Sequence, residues 1–119
     1  MANLIEEKTF QFAKRIIGVY RFLQKDKKEF LLSKQLVRSG TSIGANVAEA
    51  EAGISRSDFH AKLYIAFKEC VETLYWLKLL YECNYITEAQ YTSLRKDGEE
   101  IRRILSAITK TVRESDSQK

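Results

Sequence analysis

Proline is missing from all 119 residues of this chain, and glycine occurs only five times. With so little to break a helix or force a turn, long helices joined by short polar connections are expected. Cysteine is scarce as well. Cys70 and Cys83 stand about 13 residues apart, which fits neither a zinc knuckle nor a CxxC redox pair, so both are expected as buried, reduced thiols. A single histidine, His60, cannot supply the paired Glu-x-x-His motifs of a ferritin-type metal centre, and is expected to be structural. No apolar run approaches the roughly 20 residues that span a bilayer. The opening MANLIEEKTF carries acids where a secretory signal has a basic stretch followed by an apolar block. A cytoplasmic protein with no membrane partner and no cofactor is expected.

What is present is hydrophobic periodicity. The chain is 45% hydrophobic, enough for one domain with a real core and too short for two. Residues 3–23 place Ile5, Phe12, Ala13, Ile16, Val19, Tyr20 and Leu23 on one stripe at helical spacing, and the charged run QKDKKE ends it. Residues 29–51 align Leu32, Leu36, Val37, Ile43, Val47 and Ala50. Gly40 and Gly44 border that stripe one turn apart. Each glycine costs about 1 kcal/mol relative to alanine inside a helix, so the pair points to a neighbouring backbone passing very close. A local kink at Ser39 and Gly40 is the alternative.

Gly53 is a plausible stop, and Ser55 or Ser57 a plausible N-cap, for a third helix over residues 58–83. This helix has apolar residues on more than one side. Phe59, Leu63, Ala66, Phe67, Cys70, Leu74, Leu77 and Tyr81 form one face, and Ile65, Trp76, Leu79 and Leu80 another, with Tyr64, Val71 and Tyr75 partly filling the gap. One face serves a monomeric bundle, so the surplus, centred on Ile65, Tyr75, Trp76, Leu79 and Leu80, is expected to form an oligomer interface. Asn84 is suited to close the helix and Thr87 to cap a fourth over residues 87–112, where Tyr91, Leu94, Gly98, Ile101, Leu105, Ile108 and Val112 recur at heptad spacing. Residues 114–119 lack apolar content and are expected to be disordered. An all-α, up-down-up-down antiparallel four-helix bundle, assembling into a ring, is the economical architecture.

Catalytic signals are weak. SGTSIG lacks both the lysine and the preceding strand of a phosphate-binding loop. Ser42, Asn46 and Glu49 share one polar face with Arg38, and hydrogen bonding across helices or subunits is the leading reading of that face, ahead of a small-ligand site.

Charge is more informative. Residues 1–28 hold seven basic and three acidic residues and so account for the whole net charge of +4. Lys14 and Arg21 share a face, Arg15 lies beside it, and Lys25, Lys27 and Lys28 extend it, an arrangement able to contact successive phosphates of RNA or DNA. Arg95, Arg102, Arg103, Lys110 and Arg113 form a second ridge, diluted by Glu99. The alternative for both is a solvated face with ion pairs inside the helix.

The segment SGTSIGANVAEA, the turn SRSDF and the run KLYIAFKECVETLYWLKLL together resemble the 23S rRNA intervening-sequence protein family, also known simply as four-helix-bundle proteins. The likeness runs from Phe10 to Val112. Its most specific part is Arg38 to Glu49, matching a pattern R-x-x-x-S-I-x-x-N-I/V-A-E through Arg38, Ser42, Asn46 and Glu49. Many members carry Pro-Ser where this chain has Gly44-Ala45. The family fold is similar to that of the accessory variability protein of diversity-generating retroelements, a pentameric barrel that engages a reverse transcriptase and nucleic acid. The resemblance implies a homopentamer. A non-enzymatic scaffold binding RNA or DNA through its first helix is the leading expectation. An adaptor for a protein partner such as a reverse transcriptase is the alternative, and a small-ligand-binding or enzymatic bundle the least favoured.

Overall fold

The computed structural model describes residues 3–117, with side chains described from 4 to 110. Four helices follow one another: α1 (Asn3–Lys25), α2 (Leu32–Glu51), α3 (Arg56–Glu82) and α4 (Glu88–Ser117). Each packs on its neighbours in sequence, α4 returns to α1, and no strand occurs among the described residues. The result is an antiparallel four-helix bundle, an elongated body of 51 × 24 × 23 Å. Phe12, Ile16 and Leu23 from α1, Leu36, Ile43 and Val47 from α2, Leu63, Cys70, Leu77 and Leu80 from α3, and Leu94, Ile101 and Leu105 from α4 are almost completely buried along its axis. Tyr81 and Tyr91 stack at 4.7 Å between α3 and α4.

The helix ends follow from side-chain chemistry. α2 begins at Leu32 rather than Glu29, because Glu29 is used as a cap. Its carboxylate accepts from the backbone N–H groups of Leu31, Leu32 and Ser33 at 3.2, 2.9 and 2.7 Å, satisfying donors that the first turn leaves free. At the start of α3, Ser55 Oγ accepts from the N–H of Asp58 at 3.0 Å. Asn84 closes α3 in the left-handed conformation, at φ 67°. Thr87 and Gln90 then cap α4 reciprocally: Thr87 Oγ1 accepts from the Gln90 N–H, while Gln90 Oε1 accepts from the Thr87 N–H. No glycine or proline follows Val112, and α4 continues to Ser117 where disorder was expected from residue 114; residues 118 and 119 lie outside the described residues.

The glycine pair of α2 marks close packing, and the helix runs through it without a break. A Cβ at Gly40 would lie 2.7 Å from Ile16 Cγ2, and one at Gly44 would lie 3.3 Å from Thr9 Oγ1 and 3.4 Å from the Thr9 backbone. Ile16 is β-branched and fully buried, so it has no room to turn away.

Candidate nucleic-acid interface

Lys14, Gly18, Arg21 and Lys25 recur along the outer face of α1 at intervals of three and four residues, and all are exposed. None of Lys14, Arg21, Lys25 and Lys28 forms an ion pair among the described residues. The loop after α1 sharpens this positive charge. Glu29, an acid close to Lys25, Lys27 and Lys28 in sequence, is turned inward and buried, its carboxylate spent on the first turn of α2. The chain reverses at Lys28, at φ 54°, and Glu29 N–H donates to Leu23 O at 3.0 Å. Lys27 Nζ lies 5.8 Å from the centre of the Phe22 ring.

Arg15 does not belong with this set. Its guanidinium pairs with Asp97 at 2.6 Å and donates to the Ser93 hydroxyl and carbonyl at 2.9 and 3.3 Å, which makes it a clamp between α1 and α4. Lys8 does the same with Glu100 at 3.0 Å. The second ridge is partly neutralised: Arg102 donates to Glu99 at 2.6 Å and Lys110 is also engaged, whereas Arg95 and Arg103 are exposed. The side chain of Arg113 lies outside the described residues.

The polar face of α2 is largely a seam with α3. Arg38 reaches Glu69 at 3.3 Å and Glu72 more closely, Trp76 Nε1 donates to the same Glu72 at 3.0 Å, and Glu49 pairs with Lys62 at 2.9 Å. Ser42 and Asn46 instead donate to carbonyls of their own helix, those of Arg38 and Ser42. Deeper in the same seam the Thr73 and Ser39 hydroxyls meet at 2.9 Å.

On α3 the expected interface residues separate. Ile65 and Tyr75 are 41% and 58% exposed, joined by Tyr64 and Val71; Trp76 and Leu79 are half-buried; Leu80 is completely buried inside its own chain and drops out of any interface. The reason is geometric. α3 has α2 on one side and α4 on the other, so a single chain covers two of its faces.

Two depressions flank α1. A cleft of about 310 Å³ opens between α1 and α4, lined by Gly18, Val19, Phe22, Ile86 and Leu94 with Arg15 and Gln90 among its polar groups. A groove of about 630 Å³ lies between α1 and α2, where Phe10, Ala13, Gly44, Ala45 and Ala48 are joined by Glu6 and Glu7.

The thiols differ from each other. Cys70 is buried, its Sγ donating to Gly98 O at 3.3 Å, and burial, aided by Glu99, pushes its pKa up to about 12 against a smaller opposing pull from Arg102. Cys83, expected to be buried, is exposed, because α3 ends there and no helix covers it. His60 is half-buried with its ring edge-on to Phe59, and its Nδ1 has no hydrogen-bond partner. Among the described residues no group of three or more His, Cys, Asp or Glu side chains is placed to hold a metal ion, and no helix is long and apolar enough to cross a membrane.

The model of the 23S rRNA-intervening sequence protein family matches residues 2–107. This chain belongs to that family. A solved structure similar to it is that of a protein of unknown function from the S23 ribosomal protein family of Bacteroides thetaiotaomicron. The two are 52% identical with a TM-score of 0.87, over 89% of this chain and 98% of that one. No protein with a curated function matches.

Proposed function

We propose that this intervening-sequence family member is a cytoplasmic, non-enzymatic, self-associating scaffold that binds RNA or DNA through the outer face of α1. The observation carrying this reading is the set Lys14, Arg21, Lys25 and Lys28, exposed and without an acidic partner among the described residues. Cations not already paired within the protein are free to replace the counterions of a phosphate backbone. Self-association would repeat the patch and raise its effective strength. The exposed apolar residues Tyr64, Ile65, Val71 and Tyr75 of α3 support such contacts between copies.

The test is titration of the full chain with RNA and DNA oligonucleotides at rising salt. Four phosphate contacts to a single strand give a slope of log K against log salt of about −3, and the double substitution Lys14→Glu, Arg21→Glu should abolish binding. Absent binding, or binding indifferent to salt, overturns the proposal. Light scattering tests the assembly, with a pentamer at five times the 13.8 kDa chain mass.

A protein-partner adaptor is the second reading, supported by the groove between α1 and α2, whose small apolar floor and two glutamates suit a basic amphipathic helix. Loss of partner binding in Ala45→Arg, with Lys14→Glu, Arg21→Glu still active, would favour it.

A further inference from the structure

The cleft between α1 and α4 adjoins the cationic stripe, and Gly18 belongs to both. It stands between Lys14 and Arg21 on the outer face of α1 and also lines the cleft. We propose that this cleft receives one unpaired nucleobase of a single-stranded nucleic acid whose phosphates run along the stripe. The inference rests on the nucleic-acid reading above and adds the form of strand that is recognised.

Size, chemistry and charge agree on this occupant. A cavity of about 150 Å³ accepts a benzene ring, so about 310 Å³ leaves room for a base of one or two fused rings. The walls are mostly apolar, from Val19, Ile86 and Leu94, and Phe22 supplies an aromatic ring, the usual partner of an unstacked base. Gln90 stands at the rim. Its Oε1 is held by the Thr87 N–H, while its Nε2 has no partner among the described residues and is available to a carbonyl or ring nitrogen of the base. The larger groove between α1 and α2 does not fit the same role, because Glu6 and Glu7 line it and would repel a phosphate strand. Lys27 Nζ, 5.8 Å from the centre of the Phe22 ring, brings a cation to the α1–α4 cleft, and Lys14, Arg21 and Lys25 stand on the adjoining outer face with Gly18.

Gly18 supplies the test. Nothing lies within 4 Å of a Cβ built there, so Gly18→Leu extends a side chain over the cleft without disturbing the fold, as an unchanged circular-dichroism melt should verify. Two probes are titrated against wild type and Gly18→Leu: a 12-nucleotide single-stranded oligouridylate, and inorganic polyphosphate, which has charge but no bases. The substitution should weaken oligouridylate binding about tenfold, the effect of one lost base stack, and leave polyphosphate binding unchanged. In wild type, the amide resonances of Gly18, Val19 and Leu94 should shift with oligouridylate and not with polyphosphate. Equal oligouridylate affinity in the two proteins overturns the base site and leaves the cationic stripe standing. Failure of the wild type to bind either probe overturns both.

Discussion

The two seams of α1 are built from opposite materials. Against α2 the backbones close in over Gly40 and Gly44, with Ile16 and Thr9 filling the space that side chains would take. Against α4 the contact is made by Lys8 with Glu100 and Arg15 with Asp97, at the surface, with an open cleft farther along. Where Gly40 and Gly44 meet Ile16 and Thr9 the first seam is closely shape-matched, so small changes there are felt in full, while a groove of about 630 Å³ opens beside that contact. The second is held by exposed ion pairs beside an apolar cleft, so it tolerates change at its charged residues. One helix is therefore held by close packing on one side and by surface ion pairs on the other.

The largest effect should come from forcing the tight seam apart. Gly40→Leu drives a branched side chain into Ile16 and should lower unfolding free energy in urea by about 3 kcal/mol; an unchanged midpoint would mean that the α1–α2 approach is looser than described. Next is a test of the dry interior through Cys70. Its pKa in the folded chain, about 12, stands above the 9.0 of an ordinary free thiol, so the folded state holds its proton longer. The resulting stability is fully present below pH 9 and is lost as pH rises toward 12. By pH 10.5 the loss should be on the order of 2 kcal/mol, and Cys70→Ala should remove that share of the slope. In the native protein only Cys83 should react promptly with a thiol reagent.

A smaller effect is the coupling between Gly40 and Ile16. Removing Cγ1 and Cγ2 in Ile16→Ala takes away the nearest atoms that an alanine at position 40 would strike. The double variant Ile16→Ala, Gly40→Ala should then be more stable than the two single changes imply, by about 1 kcal/mol in a denaturation cycle. Smallest is the open seam. Arg15→Ala removes an exposed ion pair and should cost less than about 1 kcal/mol, read as a shift of a few degrees in Tm. A larger loss would erase the contrast between the seams.

Much of this was legible from residue order, because helical periodicity and capping chemistry are local. The four helices, the glycine contact and the caps at Ser55, Asn84 and Thr87 depend on neighbours a few positions away. What could not be read depends on which helix faces which. Arg15 looked like one more cation of the α1 patch, since Asp97 lies on another helix and nothing in the local pattern pairs them. Leu80 looked like surplus apolar surface because the period reveals that α3 has two greasy faces without revealing that α2 and α4 both lie against it. Glu29 resembled the first residue of a helix, although its carboxylate serves that helix from outside. The cleft between α1 and α4 had no signal in sequence beyond an exposed glycine.

The alternation of helix directions places the connection between α1 and α2 and that between α3 and α4 at one tip of a body 51 Å long, with the α2–α3 turn, the start of α1 and the end of α4 at the other. A fluorophore, affinity handle or surface tether attached at the start of α1 or the end of α4 would therefore sit at the tip opposite Lys25, Lys27 and Lys28. Immobilised chains should still offer that lysine-rich tip to solution.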